Sequence, residues 1–132
     1  MIDAIWVPTS VHFVVGTLVV VSSLAALAAA TYHGVRNRPP ARWAHGLFIL
    51  AQLTLAVQAL IGIKLLDQGL GPLQLYIHYV GGLGPLLFYL LYYWLPAPFR
   101  ARRWSASLVT GSALAFALMA YVIGQSYDPT VH

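Results

Sequence analysis

The sequence predicts an all-α integral membrane protein, an up-down bundle of four transmembrane helices with both termini on the outer side. Of the 132 residues, 60% are hydrophobic and only 8% are charged, and the apolar residues form four blocks of about twenty. A helix needs about twenty apolar residues to cross a hydrocarbon core of roughly 30 Å. The segments between the blocks are short, so residues 1–132 are predicted to form a single transmembrane domain.

The first two helices are predicted over residues 7–32 and 41–66. Pro8 suits the first turn of a helix because its fixed backbone angle matches helical geometry. Gly34 and the two prolines that follow it a few residues later end the first helix in a turn. The second helix ends at a polar segment that contains Asp67.

The third and fourth helices are predicted over residues 72–95 and 104–125. Pro72 opens the third helix, and Pro96 stops the chain from continuing helically. The fourth helix is rich in small residues, which allow helices to approach closely inside a membrane. These residues are Gly111, Ser112, Ala113, Ala115, Ala117 and Ala120.

The basic residues are confined to two of the predicted loops, apart from Lys64. They are Arg36, Arg38 and Arg42 in the first loop and Arg100, Arg102 and Arg103 in the third. Short arginine-rich loops remain on the cytoplasmic side during insertion, so the sequence predicts a bacterial cytoplasmic membrane protein with both termini outside. Because the arginines follow this topological pattern, no nucleic-acid partner is predicted. No basic residue precedes the first apolar block, so a cleaved signal peptide is not expected.

The composition excludes several classes of chemistry. The chain has no cysteine, so disulfides, thiolate catalysis and iron–sulfur ligation are ruled out. No nucleotide-binding loop, Ser/His/Asp set or zinc spacing is present. The predicted spans carry no carboxylate in their interior, which argues against a proton pump or a cation-coupled transporter.

His12 and His78 stand out among the polar residues of the predicted spans, where polar side chains are costly and call for a function. His12 follows Pro8 by about one turn and His78 follows Pro72 by nearly two turns, so both should lie near the outer face. Their local sequences are VHFVVG and IHYVGG, each ending in a glycine, Gly16 or Gly82, four residues after the histidine. A glycine at that spacing lies on the same helix face and leaves room beside the imidazole. The pattern predicts that the two imidazoles ligate the iron of one haem b.

A plainer interpretation is also consistent with these residues. In it each histidine makes a hydrogen bond across helices, and each glycine only allows close packing. The matched depth, local sequence and helix direction favour the haem interpretation. Iron bound by two imidazoles has no open coordination position, so electron transfer or a structural role follows, and no catalytic residue is assigned.

Other polar residues are candidates for supporting roles. Lys64 is predicted either to reach the haem propionates or to extend to the membrane interface without a ligand. Gln58 is assigned to the cofactor site, with a plain interhelical hydrogen bond as the alternative. Thr9 and Gln74 are candidate acceptors for the free N–H groups of the two imidazoles. His33 and His45 are candidates for a second axial pair, but interfacial histidines near lipid phosphates are the favoured interpretation.

From Trp43 to Leu91, the chain resembles one half of a haem A synthase. The segment LTLAVQALIG, with Gln58 and Gly62, is followed about fifteen residues later by His78 in an apolar helix. The resemblance implies a four-helix bundle with two outer-side histidines on parallel helices, here His12 and His78, and a Gln-x-x-x-Gly segment on the helix between them. Two positions depart from the family pattern, since the chain has Thr9 and Phe13 where the family carries a glutamate and an arginine.

The leading functional hypothesis is therefore a b-type haem protein that transfers electrons or holds haem within a respiratory or photosynthetic membrane complex. It implies the lipid bilayer and partner membrane subunits or a redox partner as interaction partners. The alternative is a haem-free accessory subunit whose last helix packs against a neighbour. A minimal haem-modifying enzyme ranks third, because an electron carrier or subunit fits the chain better than a stand-alone catalyst.

Overall fold

The computed structural model describes residues 5–70 and 76–126. These residues form helices and no strands, which confirms the predicted all-α class. The helices are α1 (Thr9–Val35), α2 (Arg42–Asp67), α3 (Tyr76–Trp94), α4 (Ala97–Arg100) and α5 (Ser105–Gln125).

The helix α4 is the element that the sequence analysis did not predict. Pro96 precedes it and Pro98 lies in its first turn. Proline is tolerated there because the first N–H groups of a helix have no intrahelical partner. The prolines that end α3 therefore also begin a single helical turn. The predicted start of the third helix at Pro72 lies outside the described residues.

Three of the helices, α1, α2 and α5, are by length and composition capable of crossing a membrane. α3 is described over 19 residues, which is shorter than the other three, and it carries five tyrosines. The described chain thus has the three long apolar helices of a membrane protein, with α3 packed among them.

The four longer helices pack side by side in a closed order. α1 contacts α2 and α5, and α3 contacts the same two helices. The interior consists largely of alanines around Phe48 and Tyr89, both of which are fully buried. Large apolar side chains such as Leu53 and Leu108 point outward and are more than half exposed. Leucines on the outside and alanines on the inside are typical of helices in a lipid bilayer. There the helices associate through close backbone packing, because burial of apolar side chains away from lipid gives no gain.

α3 and α5 approach each other closely at two glycines of α3. A Cβ atom at Gly81 would lie 2.8 Å from the Cβ of Ala120 and 2.9 Å from the carbonyl oxygen of Phe116. A Cβ atom at Gly84 would lie 2.8 Å from the Phe116 ring. Glycine is therefore required at both positions for α3 to reach this distance.

The prediction that Gly34 ends the first helix is wrong. Gly34 lies inside α1, and the turn is made by Asn37, whose φ is 52°. The N–H of Arg38 donates to the carbonyl of His33 and that of Asn37 to Gly34, which is the usual hydrogen-bonded ending of a helix. Gly34 instead makes space for Trp104, since a Cβ atom there would lie 2.8 Å from the indole ring.

Candidate functional site

The structure brings His12 of α1 and His78 of α3 together. Their ring centroids are 6.0 Å apart and the ring planes cross at 51°. Both residues are half-buried, at the same end of the helices. They come together because α1 and α3 lie between the same two neighbours and place their histidines at matching depth.

This separation suits two imidazoles that share one metal ion. Metal–imidazole bonds of about 2.0 to 2.1 Å on opposite sides of an ion place the ring centroids about 6 Å apart. Direct stacking of the two imidazoles would need closer and more nearly parallel rings than the 6.0 Å and 51° found here. The pair is therefore better arranged for binding a common ligand than for contact with each other.

His12 is held in place by two residues of α2. Its Nε2 atom lies 3.1 Å from Nε2 of Gln58. One turn further along α2, Gly62 lies against the imidazole, because a Cβ atom there would be 3.4 Å from Cε1 of His12. Gln58 thus fixes the edge of the ring, and Gly62 provides the space that the ring occupies.

His78 is held in the same way by two residues of α5. Its Nδ1 atom donates a hydrogen bond to the carbonyl oxygen of Ala120 at 2.9 Å. A Cβ atom at Gly124, one turn further along α5, would lie 3.1 Å from Cε1 of His78. Because a carbonyl only accepts hydrogen bonds, the neutral ring carries its proton on Nδ1 and its lone pair on Nε2.

The two arrangements repeat along the chain. In each helix pair the first helix carries a histidine and the second carries a hydrogen-bonding group followed by a glycine four residues later. The pairs are α1 with α2 and α3 with α5, and the groups are Gln58 with Gly62 and Ala120 with Gly124. The site is thus built from two hairpins of similar design.

A cavity of about 750 Å³ opens between the four helices at the two histidines. This volume lies within the range of about 300 to 1,000 Å³ that is common for cofactor and ligand pockets. Both predicted glycines line it, and a Cβ atom at Gly82 would meet nothing within 4 Å. Gly16 is more crowded, since a Cβ atom there would lie 3.2 Å from Gln58 and 3.5 Å from Tyr121. Most other lining residues are aliphatic or aromatic.

Two polar atoms at this cavity are buried without a hydrogen-bond partner in the described chain. They are Nδ1 of His12 and Oε1 of Gln58, on two side chains that contact each other. An unsatisfied buried polar group costs roughly 1 to 3 kcal/mol. Both atoms lie at the cavity wall, where a bound group could supply their partners.

The remaining predicted residues are placed as follows. Lys64 forms an ion pair with Asp67 on its own helix and is not among the described residues that line the cavity. Thr9 lines the cavity, but the hydrogen-bond partner of His12 is Gln58. Gln74 lies outside the described residues, and the acceptor for His78 is Ala120.

His33 and His45 lie at the opposite end of the helices and have separate partners. The N–H of Ala41 donates to Nε2 of His33 at 3.4 Å, and the ring packs against Trp43. Nδ1 of His45 lies 3.2 Å from the hydroxyl of Tyr93. These contacts hold the ends of α1, α2 and α3 together.

Three residues of the site were not singled out by sequence reasoning. Ala120 acts through its backbone carbonyl, which leaves no signature in the sequence. Gly124 lies four residues after Ala120, as Gly62 lies four after Gln58, but this spacing has meaning only once the structure shows that Ala120 is the acceptor. Tyr121 stacks on Phe13 with ring centroids 5.7 Å apart, and its hydroxyl lies 3.0 Å from that of Thr17.

Over residues 5–70 and 76–126, no three His, Cys, Asp or Glu side chains converge on one point. The described residues therefore offer two nitrogen ligands at the cavity, and no cluster typical of structural zinc. Comparison of the chain with protein-family models, with characterised proteins and with solved structures finds no match.

Proposed function

We propose that the protein is a membrane-bound b-type haem protein in which His12 and His78 are the two axial ligands. The observation that carries this proposal is the pair of imidazoles with ring centroids 6.0 Å apart on the wall of a 750 Å³ cavity. A metal held by only two protein ligands needs its other ligands from a different source. A porphyrin supplies four nitrogen ligands, which accounts for the absence of a third protein ligand in the described part of the site.

The residues present also fit the shape and polarity of such a group. The lining is largely apolar, and Gly82 leaves the α3 wall open. His78 already has the hydrogen-bonding pattern of a metal ligand, because Nδ1–H donates to a backbone carbonyl and leaves Nε2 free. His12 has one nitrogen beside Gln58 and the other buried without a partner.

Haem with two histidine ligands supplies one-electron transfer without an open position for oxygen or substrate. The chain's own residues set the conditions for that chemistry. Gln58 and the Ala120 carbonyl orient the imidazoles, and the apolar walls lower the local polarity. We infer an electron carrier or haem-holding subunit of a larger membrane complex, since the chain has little surface outside its helices for a soluble substrate.

The proposal includes a membrane topology. We propose that all four longer helices cross the bilayer of a bacterial cytoplasmic membrane as an up-down bundle, with the arginine-containing loops inside and both termini outside. The described part of α3 has 19 residues and is about 28 Å long, close to the roughly 30 Å of a hydrocarbon core. Because the chain has no cysteine, Asn37→Cys provides a unique labelling site in the first loop. Labelling by an impermeant maleimide from outside intact cells would contradict this topology.

Optical spectroscopy tests the haem proposal directly. The purified full-length protein, reduced with dithionite, is expected to show the sharp alpha band of a six-coordinate b-type haem and a pyridine haemochrome. His12→Ala and His78→Ala should each abolish the six-coordinate spectrum. His45→Ala is the matched control and should leave it intact, because His45 contacts Tyr93 at the other end of the helices.

Absence of haem from protein that is folded and was expressed with excess haem precursor would reject the proposal. The haem-free accessory subunit would then be the remaining hypothesis. Conversion of haem b or haem O by the purified protein would instead support the enzyme hypothesis.

A further inference from the structure

The six arginines of the chain form one surface, at the opposite end of the helices from His12 and His78. Arg36 and Arg38 belong to the loop between α1 and α2, and Arg42 is the first residue of α2. Arg100, Arg102 and Arg103 belong to the connection between α3 and α5. Nε of Arg103 donates a hydrogen bond to the carbonyl of Gly34 at 2.8 Å. This contact, with Trp104 packed against Gly34, joins the two loops into a single surface, which we call the arginine surface.

The arginine surface carries no neutralising carboxylate in the described chain. Asp67 is the one acidic side chain within residues 5–70 and 76–126, and it lies at the far end of α2, paired with Lys64. Five of the six arginines are exposed, and Arg100 is half-buried. Several positive charges in one place without counter-charges favour an anionic partner.

Three of the six arginine side chains lie over aromatic rings, which limit their orientation. The guanidinium of Arg36 lies 4.7 Å from the Tyr32 ring centroid, and that of Arg102 lies 4.7 Å from the Phe99 ring. Arg103 stacks on Trp104 at 4.9 Å. A guanidinium held flat on a ring keeps its N–H groups along its edge, where they can bind two oxygens of a phosphate.

The position of these rings indicates the source of the phosphate. Tyr32, Phe99 and Trp104 are each more than two-fifths exposed. Tyr32 and Trp104 lie at the ends of α1 and α5, which are long and apolar enough to span a membrane, and Phe99 lies in the short α4 beside them. Exposed aromatic rings at such helix ends lie at the level of the lipid headgroups. We propose that the arginine surface binds the phosphates of anionic phospholipids and thereby selects these lipids from the surrounding leaflet.

Tryptophan fluorescence can test this selection on the full-length protein. Of the four tryptophans, Trp43, Trp94 and Trp104 lie at the arginine end, and Trp6→Phe removes the one that precedes α1. The Trp6→Phe protein would be placed in phosphatidylcholine nanodiscs with a fixed fraction of acyl-brominated lipid. Brominated phosphatidylglycerol should quench the fluorescence more strongly than brominated phosphatidylcholine, and high salt should reduce the difference.

Variants of the arginine surface test whether the preference for phosphatidylglycerol depends on charge and not on a change in folding. Replacement of one exposed arginine by a neutral residue is expected to lower the preference for phosphatidylglycerol about five-fold. The double variant Arg36→Gln, Arg102→Gln should therefore lose most of the preference while circular dichroism shows unchanged helix content. The matched control, Arg36→Lys with Arg102→Lys, keeps both charges and should retain most of it.

Equal quenching by the two brominated lipids would overturn the proposal, as would a glutamine double variant with its preference intact. Inorganic phosphate provides a further arm of the test. If phosphate abolishes the preference at an ionic strength where chloride does not, the arginine surface binds free phosphate, and the lipid assignment is wrong. None of these readouts depends on haem, so the two proposals fail separately.

Discussion

Nδ1 of His78 donates a hydrogen bond to the carbonyl oxygen of Ala120 across a distance of 2.9 Å. This contact joins α3 to α5 and determines which imidazole nitrogen is free, because the carbonyl oxygen has no proton to give. The lone pair on Nε2 is then available to a metal ion. Residue 120 performs this function through its backbone, so the identity of its side chain is set by packing alone.

Packing at residue 120 leads to the first prediction. Gly81→Ala should destabilise the protein by roughly 1 to 3 kcal/mol, because the added methyl group would meet the Cβ of Ala120 and the backbone of Phe116 at less than 3.0 Å. The measurement is unfolding in mixed detergent micelles, followed by circular dichroism. Gly82→Ala is the matched control for stability, since the neighbouring position has nothing within 4 Å. Equal stability of the two variants would contradict the close contact of α3 with α5.

Substitutions at Gly81 and Gly82 distinguish an effect on helix packing from an effect on cofactor binding. Gly82→Ala adds a methyl group to the wall of the cavity without a clash in the unliganded protein. If haem occupies that space, the variant should be folded but should retain less haem per chain after purification. Iron and pyridine haemochrome content give this ratio. Full haem retention in Gly82→Ala would show that the cofactor does not approach α3 at this point.

Gly124→Ala should alter the environment of His78. The new Cβ atom would lie 3.1 Å from Cε1 of the imidazole, so the ring must shift by a few tenths of an ångström or rotate. The expected result is a changed low-spin electron paramagnetic resonance signal of the oxidised haem, because that signal depends on the orientation of the axial imidazoles. Gly46→Ala, on α2 with nothing within 4 Å, should leave the signal unchanged and stabilise the helix slightly. Identical spectra for both variants would argue against Gly124 as a determinant of ring orientation.

Gln58→Leu tests the contact between α2 and His12. Leucine has a similar size but cannot hydrogen-bond, so the variant should fold while the midpoint potential of the haem changes. Hydrogen bonds to an axial imidazole alter its electron donation to iron, and a redox titration measures the effect. Gln52→Leu is the control, because Gln52 bonds to the carbonyl of Phe48 on its own helix. A potential that moves equally in both variants would point to a general effect of polarity.

Arg103→Lys should weaken the link between the two arginine-containing loops. Lysine keeps the charge but loses the Nε–H group that donates to Gly34 and the stacked contact with Trp104. We expect a loss of about 1 kcal/mol in unfolding free energy. Arg102→Lys should change stability much less, since Arg102 is exposed and stacks only on Phe99 among its described contacts. The two variants have the same charge, so membrane orientation is not affected by the comparison.

The composition and the block pattern of the sequence were sufficient for the helical class and for the grouping of the arginines between the long helices. Arg42 and Arg100 were predicted in loops, but Arg42 begins α2 and Arg100 ends α4. Matched spacing after Pro8 and Pro72 was also sufficient to pair His12 with His78, because two helices running in the same direction bring equivalent positions to the same depth. The supporting contacts could not be predicted in this way. A backbone acceptor such as Ala120 has no sequence signal, and Gly124 resembles any other small residue of a packed helix.

The prediction for Lys64 shows a different limit to what the sequence can indicate. Lys64 lies near the end of α2 as predicted, but the direction of its side chain depends on its neighbours. Asp67 lies one turn away and provides a counter-charge at lower cost than a distant carboxylate. In the structure this local pair takes precedence over contact with the cavity.

Each helical hairpin carries one of the two histidines at the cavity, His12 or His78, together with the residues that hold that histidine in place. Neither hairpin alone would have both ligands, so the complete site exists only once the two halves have come together.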